Sequence, residues 1–163
     1  MSDQCTDLHR TGRIYNRSRV CSLAAMPAGD LPVMEFAFPG PLRDRLVAAI
    51  LAGEKTTTTG LVAEYQHAND PLPVPGLREV VVDSDGRPVA VIEMTTVRVV
   101  RLSDVDLRHV LGEGEGFASV AEWRAGHERF WHSAEMRRAL SDPAFTVGDD
   151  TLVVASEFRL IED

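Results

Sequence analysis

The stretch AAILAGEKTTTTGLV, from Ala48 to Val62, changes its periodicity in the middle. Upstream, Leu42, Leu46, Ala49 and Ile50 recur at helical spacing behind Pro39, Gly40 and Pro41, which predicts a helix over 42–52. Gly53 falls where a left-handed C-terminal cap would end that helix. Four threonines in succession then favour an extended chain, because β-branched side chains are stiff at χ1 and pack well on a pleated surface. Lys55 therefore stands at a helix-to-strand junction, and it is the only lysine beside sixteen arginines. Arginine would serve equally well at the carbonyl end of a helix. An ammonium, unlike a guanidinium, can give up its proton when buried, so the lone lysine is a candidate general base or adjustable donor.

Working outward, NDPLPVPGL is too rich in proline for regular structure and long enough to form a loop over a cleft. REVVVDSDGRPVAVIEMTTVRVVRL reads as two strands joined at Ser84–Gly86, the second long and strongly β-branched. Ser103 and Asp106 can cap a short helix running to about Leu111, after which GEGEG interrupts the chain at 112–116. Ser119 and Glu122 form a capping-box pattern for a longer helix, in which Val120, Trp123, His127, Phe130 and Ala134 share a core-facing stripe. TLVVASEFRLI closes the chain as a strand whose alternation is only partial, the pattern of a strand buried on more than one side. Helices interleaved with a central hairpin and a last strand predict an α+β fold, a small curved or closed sheet flanked by two or three helices. No glycine fingerprint follows a strand, which excludes a Rossmann or phosphate-loop reading.

The chain has 163 residues, 44% of them hydrophobic, which suits one globular domain. Residues 1–33 mix Ser, Asp, Arg, Gly and Pro without pattern and are expected to form a mobile tail, either dispensable or an arginine-bearing arm that touches RNA phosphates; 34–163 form the domain. No window approaches the ~20 apolar residues of a membrane-spanning helix, so a cytoplasmic protein with no membrane partner is expected. Cys5 and Cys21 have no clustered partners and suggest free thiols. The net charge of −8 disfavours long duplex DNA, whose binding rests on many phosphate contacts. It leaves open a short RNA, a nucleoside or another small molecule in a locally basic cleft.

Around Lys55, alternation along an extended chain places Thr56 and Thr58 on one side and Lys55 and Thr57 on the other. A turn at the junction could still bring Lys55 beside the Thr58 hydroxyl, one way to activate a weak nucleophile. Glu113 and Glu115 lie among glycines that let the backbone carry a carboxylate into a pocket. Two glutamates without a third ligand make a poor metal site, and neither a metal nor a cofactor is expected. Trp123, Phe130, Trp131 and His127 read as core, whereas Tyr65 and His67, beside the proline-rich loop, are placed to stack on a base.

LAGEKTTTTGL, then VIEMTTVRVVRL, GEGEGFASVAEWRAGHERFW and the closing strand, in that order from about residue 34, resemble the ASCH domain family. The resemblance implies a PUA-like small β-barrel with helices around it and an RNA-associated cleft. It also implies one of three activities. Short bacterial members resemble amidohydrolases that remove an acyl group from the exocyclic nitrogen of cytidine, with a lysine, a threonine and a glutamate. These match Lys55, Thr58 and Glu115, with Glu113 the alternative to the last; Thr56, Thr57, Tyr65, His67 and Glu113 are, beside that pattern, the candidate substrate contacts. On that pattern Thr58 attacks, Lys55 takes its proton, Glu115 orients, and backbone donors around Thr57–Thr59 hold the oxyanion. Other members resemble ribonucleases acting on single-stranded RNA or noncatalytic RNA-binding modules.

Overall fold

The computed structural model describes residues 15–16 and 31–161. The first helix, α1, spans Pro41–Leu51, with Pro41 in its first turn, where a missing N–H costs nothing. Gly53 follows at φ +73°, and the amides of Glu54 and Lys55 both bond the Ala49 carbonyl, closing the helix as its sequence predicts. The threonines then form strand β3, Thr57–Leu61, buried along its whole length.

The remaining elements are β1 (Tyr15–Asn16), β2 (Val33–Met34), α2 (Val62–Ala68), β4 (Arg78–Val82), β5 (Pro88–Arg101), α3 (Leu107–Gly112), α4 (Val120–Trp131), α5 (Ala134–Ala139) and β6 (Leu152–Ile161). The strands form one mixed sheet in the order β1-β2-β4-β5-β6-β3, antiparallel except for the β2/β4 pair. The α+β class stands. Among the described residues the sheet does not close between β1 and β3, so the PUA-like barrel that the resemblance implies is a loose one. Register shifts between Val81 and Val82 and between Met94 and Thr96 are the irregularities that bend a long strand such as β5.

Strand β6 lies inside the sheet between β5 and β3, which accounts for its broken alternation: Val153, Val154, Ala155 and Ser156 are buried in succession. The core gathers Met34, Phe36, Ile50, Leu61, Ile92, Trp123 and Phe158 between the sheet and its helices. Asp106 and Ser119 accept from the amides of His109 and Glu122, so both predicted N-caps form. The Glu122 carboxylate reaches back to the Ala118 amide at 2.9 Å.

Two sequence expectations need correction, and one helix was not anticipated. Residues 62–68 form a helix, α2, which has no Ser, Thr, Asp or Asn at its cap; the Glu64 carboxylate instead accepts from the Leu61 amide at 2.8 Å. The helical stripe running to Ala134 is cut at Trp131, and Ser133 caps a separate α5. The proline-rich loop joins the β4/β5 ladder, with Gly76 donating to Met94 O and Met94 donating to Leu77 O, and contributes nothing to the lining of the cleft described below. The tail reading falls mostly outside the described residues. Of that stretch, 15–16 pair as a short antiparallel strand with 33–34. Cys5 and Cys21 also lie outside. No helix among the described residues is long and apolar enough to cross a membrane.

Candidate functional site

The end of α3 meets the junction between α1 and β3, and small residues make the meeting possible. A Cβ on Gly112 would lie 2.7 Å from Thr57 Cγ2, and one on Gly114, at φ +65°, would lie 2.7 Å from the Glu54 carbonyl oxygen. The Thr56 amide donates to Gly112 O at 2.7 Å, and the Thr57 hydroxyl donates to His109 O at 2.7 Å. The two glycines let GEGEG lie directly on the lysine-bearing segment. The contact carries Glu113 inward.

Lys55 is 2% exposed. Its Nζ donates to Glu113 O at 3.2 Å and to Glu113 Oε2 at 3.3 Å, stands 3.5 Å from Glu115 Oε1, and faces the Phe36 ring at 5.7 Å from its centroid. The other carboxylate oxygen of Glu113 accepts from Thr59 Oγ1 at 2.6 Å and from the Trp123 indole at 3.1 Å. Because the Thr59 hydrogen goes to Glu113, its oxygen accepts from His109 Nε2 at 2.8 Å. His127 Nε2 lies 3.5 Å from Glu113 Oε2, and its Nδ1 donates to Trp123 O at 3.1 Å. Glu113 is thus the hub, a buried carboxylate surrounded by donors.

The two glutamates differ electrostatically. Burial acts to raise the Glu113 carboxyl, but the charges of Lys55 and His127 and the His109 and His127 rings, each with Nε2 3.5 Å from a carboxylate oxygen, outweigh it, leaving Glu113 well below the usual range. Burial also raises Glu115; Lys55 offsets part of that, while the neighbouring Glu113 charge adds to it, and the net shift is upward. For His127, burial lowers the value, yet the Glu113 charge and hydrogen bond prevail and raise it. One acid of the pair is fixed as an anion. The other is the one suited to exchange a proton.

These groups form the floor of a cleft enclosing about 260 Å³, near the lower end of the roughly 300–1,000 Å³ of small-molecule sites. Its walls include Phe36, Phe117, Phe130 and Trp131, and Thr58 lines it as well. The Thr58 side chain makes no hydrogen bond among the described residues, unlike Thr57 and Thr59. Glu64 also faces the cleft; burial pushes its carboxyl up to about 7 against the lowering effect of the Leu61 amide.

Lys55, Thr58, Glu113 and Glu115, read from the sequence as site residues, therefore meet in one cleft. Thr56, Thr57, Tyr65 and His67 do not line it. Thr56 and Thr57 hold α3, Tyr65 turns into the core because α2 is amphipathic, and His67 lies exposed on the same helix. Thr59, His109 and the polar roles of Trp123 and His127 escaped the sequence reading. Continuing the alternation from Lys55 and Thr57 one step would have reached Thr59. His127 also supplies the third donor that the acidic loop lacked: Glu113, Glu115 and His127 each bring one atom within 4.8 Å of the others. The Lys55 ammonium, in contact with both carboxylates, already fills the cationic place in that cluster.

An α+β protein with an open mixed sheet and an aromatic-walled cleft over a buried lysine–glutamate pair is the class that fold and site define. The family model of the ASCH domain matches residues 34–162, and the chain belongs to that family. It is similar to an ASCH domain from Lactobacillus crispatus JV V101, at 28% identity over 72% of this chain and 71% of that one, with a TM-score of 0.62. A protein from Enterococcus faecalis V583 shares the fold at 24% identity, over 72% of this chain and 67% of the other, with the same TM-score of 0.62. The sequence matches no curated protein.

Proposed function

We propose that this cleft takes the base of an RNA-related nucleoside and hydrolyses an amide on its exocyclic nitrogen, as in an acylated cytidine. The observation that carries this reading is the buried Lys55 amine between Glu113 and Glu115 in a cleft also lined by Thr58. Family membership supports an RNA-associated ligand, and the small volume supports a single base over a long polymer.

The roles follow from what each group already binds. Thr59 is committed to Glu113, so Thr58, whose hydroxyl makes no such bond, is the nucleophile. The Lys55 ammonium already donates to Glu113 and stands 3.5 Å from Glu115. Glu115, whose value is raised, is therefore the base, a role that the sequence pattern gave to Lys55. The Thr58 oxygen attacks the amide carbon as its proton passes to Glu115. Lys55 and nearby backbone amides stabilise the oxyanion. Glu115 then protonates the leaving amine and the C–N bond breaks; water next attacks the acyl carbon as its proton passes to the same carboxylate, which returns that proton to the Thr58 oxygen as the C–O bond breaks and the acid leaves. Glu113 fixes Lys55 and takes no proton in the cycle.

A ribonuclease reading is weaker on electrostatic grounds. A phosphate brought to Lys55 would meet two carboxylates within 3.5 Å of the same ammonium. The test is hydrolysis of acylated cytidines beside cleavage of short single-stranded RNA, by wild type and by Thr58→Ala. Deacylation by the wild type with a loss of at least ~100-fold in the variant is expected. A Thr58→Ala protein as fast as wild type would remove the threonine from the mechanism, and RNA cleavage without deacylation would replace the reading altogether.

A further inference from the structure

Most arginines on this surface have an acidic partner. Arg78 and Arg159 share Glu93, Arg87 pairs with Asp85, Arg101 with Asp104, Arg108 with Glu157, and Arg124 with Glu128 and Asp149. That is the outcome expected where 25 acidic residues face 17 cationic ones. Arg45 and Arg129, like Arg98 and Arg138, have no ion pair or hydrogen bond among the described residues; what sets the first two apart is where they lie. Both line the cleft, and of all its lining residues they alone are exposed. Arg45 comes from α1 and Arg129 from the last turn of α4, so two separate elements bring unpartnered guanidinium groups to the mouth of one cavity.

The lysine below them is already engaged, since Glu113 and Glu115 flank its ammonium at 3.3 and 3.5 Å and leave it little to offer an anion. A ligand whose base enters the aromatic walls must leave any phosphate at the opening, where the two arginines are free to take it. Guanidinium is the group that matches phosphate oxygens in a bidentate way and is the less costly cation to desolvate.

We propose that Arg45 and Arg129 form a phosphate subsite, so that the ligand is a phosphorylated nucleoside unit, either a monophosphate or one residue of an RNA strand, rather than a free nucleoside. This rests on the base-binding reading of the cleft given above. The subsite reconciles an acidic protein with an anionic ligand by separating the two charges across the cleft depth.

The test compares kcat/KM for acylated cytidine, its 5′-monophosphate and a short oligonucleotide with one acylated cytidine, in wild type and in the Arg45→Gln/Arg129→Gln double variant. Expected is a preference of roughly 10- to 100-fold for a phosphorylated substrate, falling toward one in the double variant and at raised salt. Arg98→Gln, an exposed arginine on β5 outside the cleft, keeps the wild-type preference. Preference for the monophosphate assigns the subsite to a terminal phosphate, and preference for the oligonucleotide alone assigns it to a phosphodiester. Equal rates on all three substrates, or a preference untouched by the double variant, overturn the proposal. If the wild type deacylates none of them, the amidohydrolase reading fails separately. Equilibrium binding of cytidine and cytidine monophosphate then decides the subsite: tighter monophosphate binding that the double variant abolishes supports it, and equal affinities refute it.

Discussion

Glu113 and Glu93 each lie between cationic side chains, yet they belong to different physical regimes. Glu93, at the sheet surface, accepts from Arg78 Nε at 2.8 Å and Arg159 Nη2 at 2.7 Å, and those hydrogen bonds hold its carboxyl below the usual range. Glu113 has longer ion contacts, 3.3 Å to Lys55, but is 1% exposed and receives hydrogen bonds from Thr59 and Trp123 besides. Water screens and replaces the first set of contacts, whereas nothing but the protein satisfies the second. Short distances therefore mark the surface pair, and burial with complete hydrogen bonding marks the site.

The sharpest break in that comparison is Glu113→Ala. It leaves Lys55, the Thr59 hydroxyl and the Trp123 indole without their shared partner in the interior, and unfolding in urea is expected to show a loss of about 3–5 kcal/mol. Glu93→Gln, in contrast, should leave the deacylation rate unchanged and lower Tm only slightly, with a deficit that shrinks in about 1 M salt, where the screening length is ~3 Å. Equal destabilisation by the two substitutions would erase the distinction.

Next in size is Lys55→Arg, which keeps the charge but not the compact ammonium among three oxygens. A drop of roughly 100- to 1,000-fold in kcat is expected with circular dichroism unchanged. A rate near that of wild type would show that charge alone suffices. Gly114→Ala should cost about 1–3 kcal/mol, because its Cβ meets the Glu54 carbonyl and its φ is positive, and activity should fall with it as the acidic loop lifts from Lys55. Thermal melts beside kinetics measure both.

On stability, the smallest effects come from pH. Glu113 is lowered, so its contribution to stability is present above about pH 4.5 and fades as pH falls through its folded value. His127 is raised, so its contribution is complete below about pH 6.5 and fades as pH rises through the folded value. Glu115 is raised, and as the base it must be ionised. The acid limb of the kcat/KM profile should therefore lie above 4.5, the ordinary value, and vanish with most of the activity in Glu115→Gln. A limb at or below the ordinary value would move the base elsewhere.

Lys55 and the acidic loop were legible as site elements because composition and local geometry single them out: one lysine at a change of periodicity, two glutamates among glycines. Tyr65 and His67 were expected to stack on a base from beside the proline-rich loop; α2, which lacks a polar cap residue to announce it, carries one into the core and leaves the other exposed outside the cleft. Trp123 and His127 were correctly read as part of an apolar stripe. Their polar atoms, however, point at Glu113, and a residue can serve the core with its ring and the site with its nitrogen.

The sequence by itself determined the helix-to-strand junction, the central hairpin, the capped helices and the resemblance to a family, since each depends on neighbours a few residues apart. Only the tertiary structure decided that the sheet of the described residues is not closed, that Glu113 rather than Glu115 is the hub, and that Arg45 and Arg129 line one cleft. Those outcomes depend on which side chains, 58 residues apart for Lys55 and Glu113, share a space from which water is excluded. No local pattern encodes that distance.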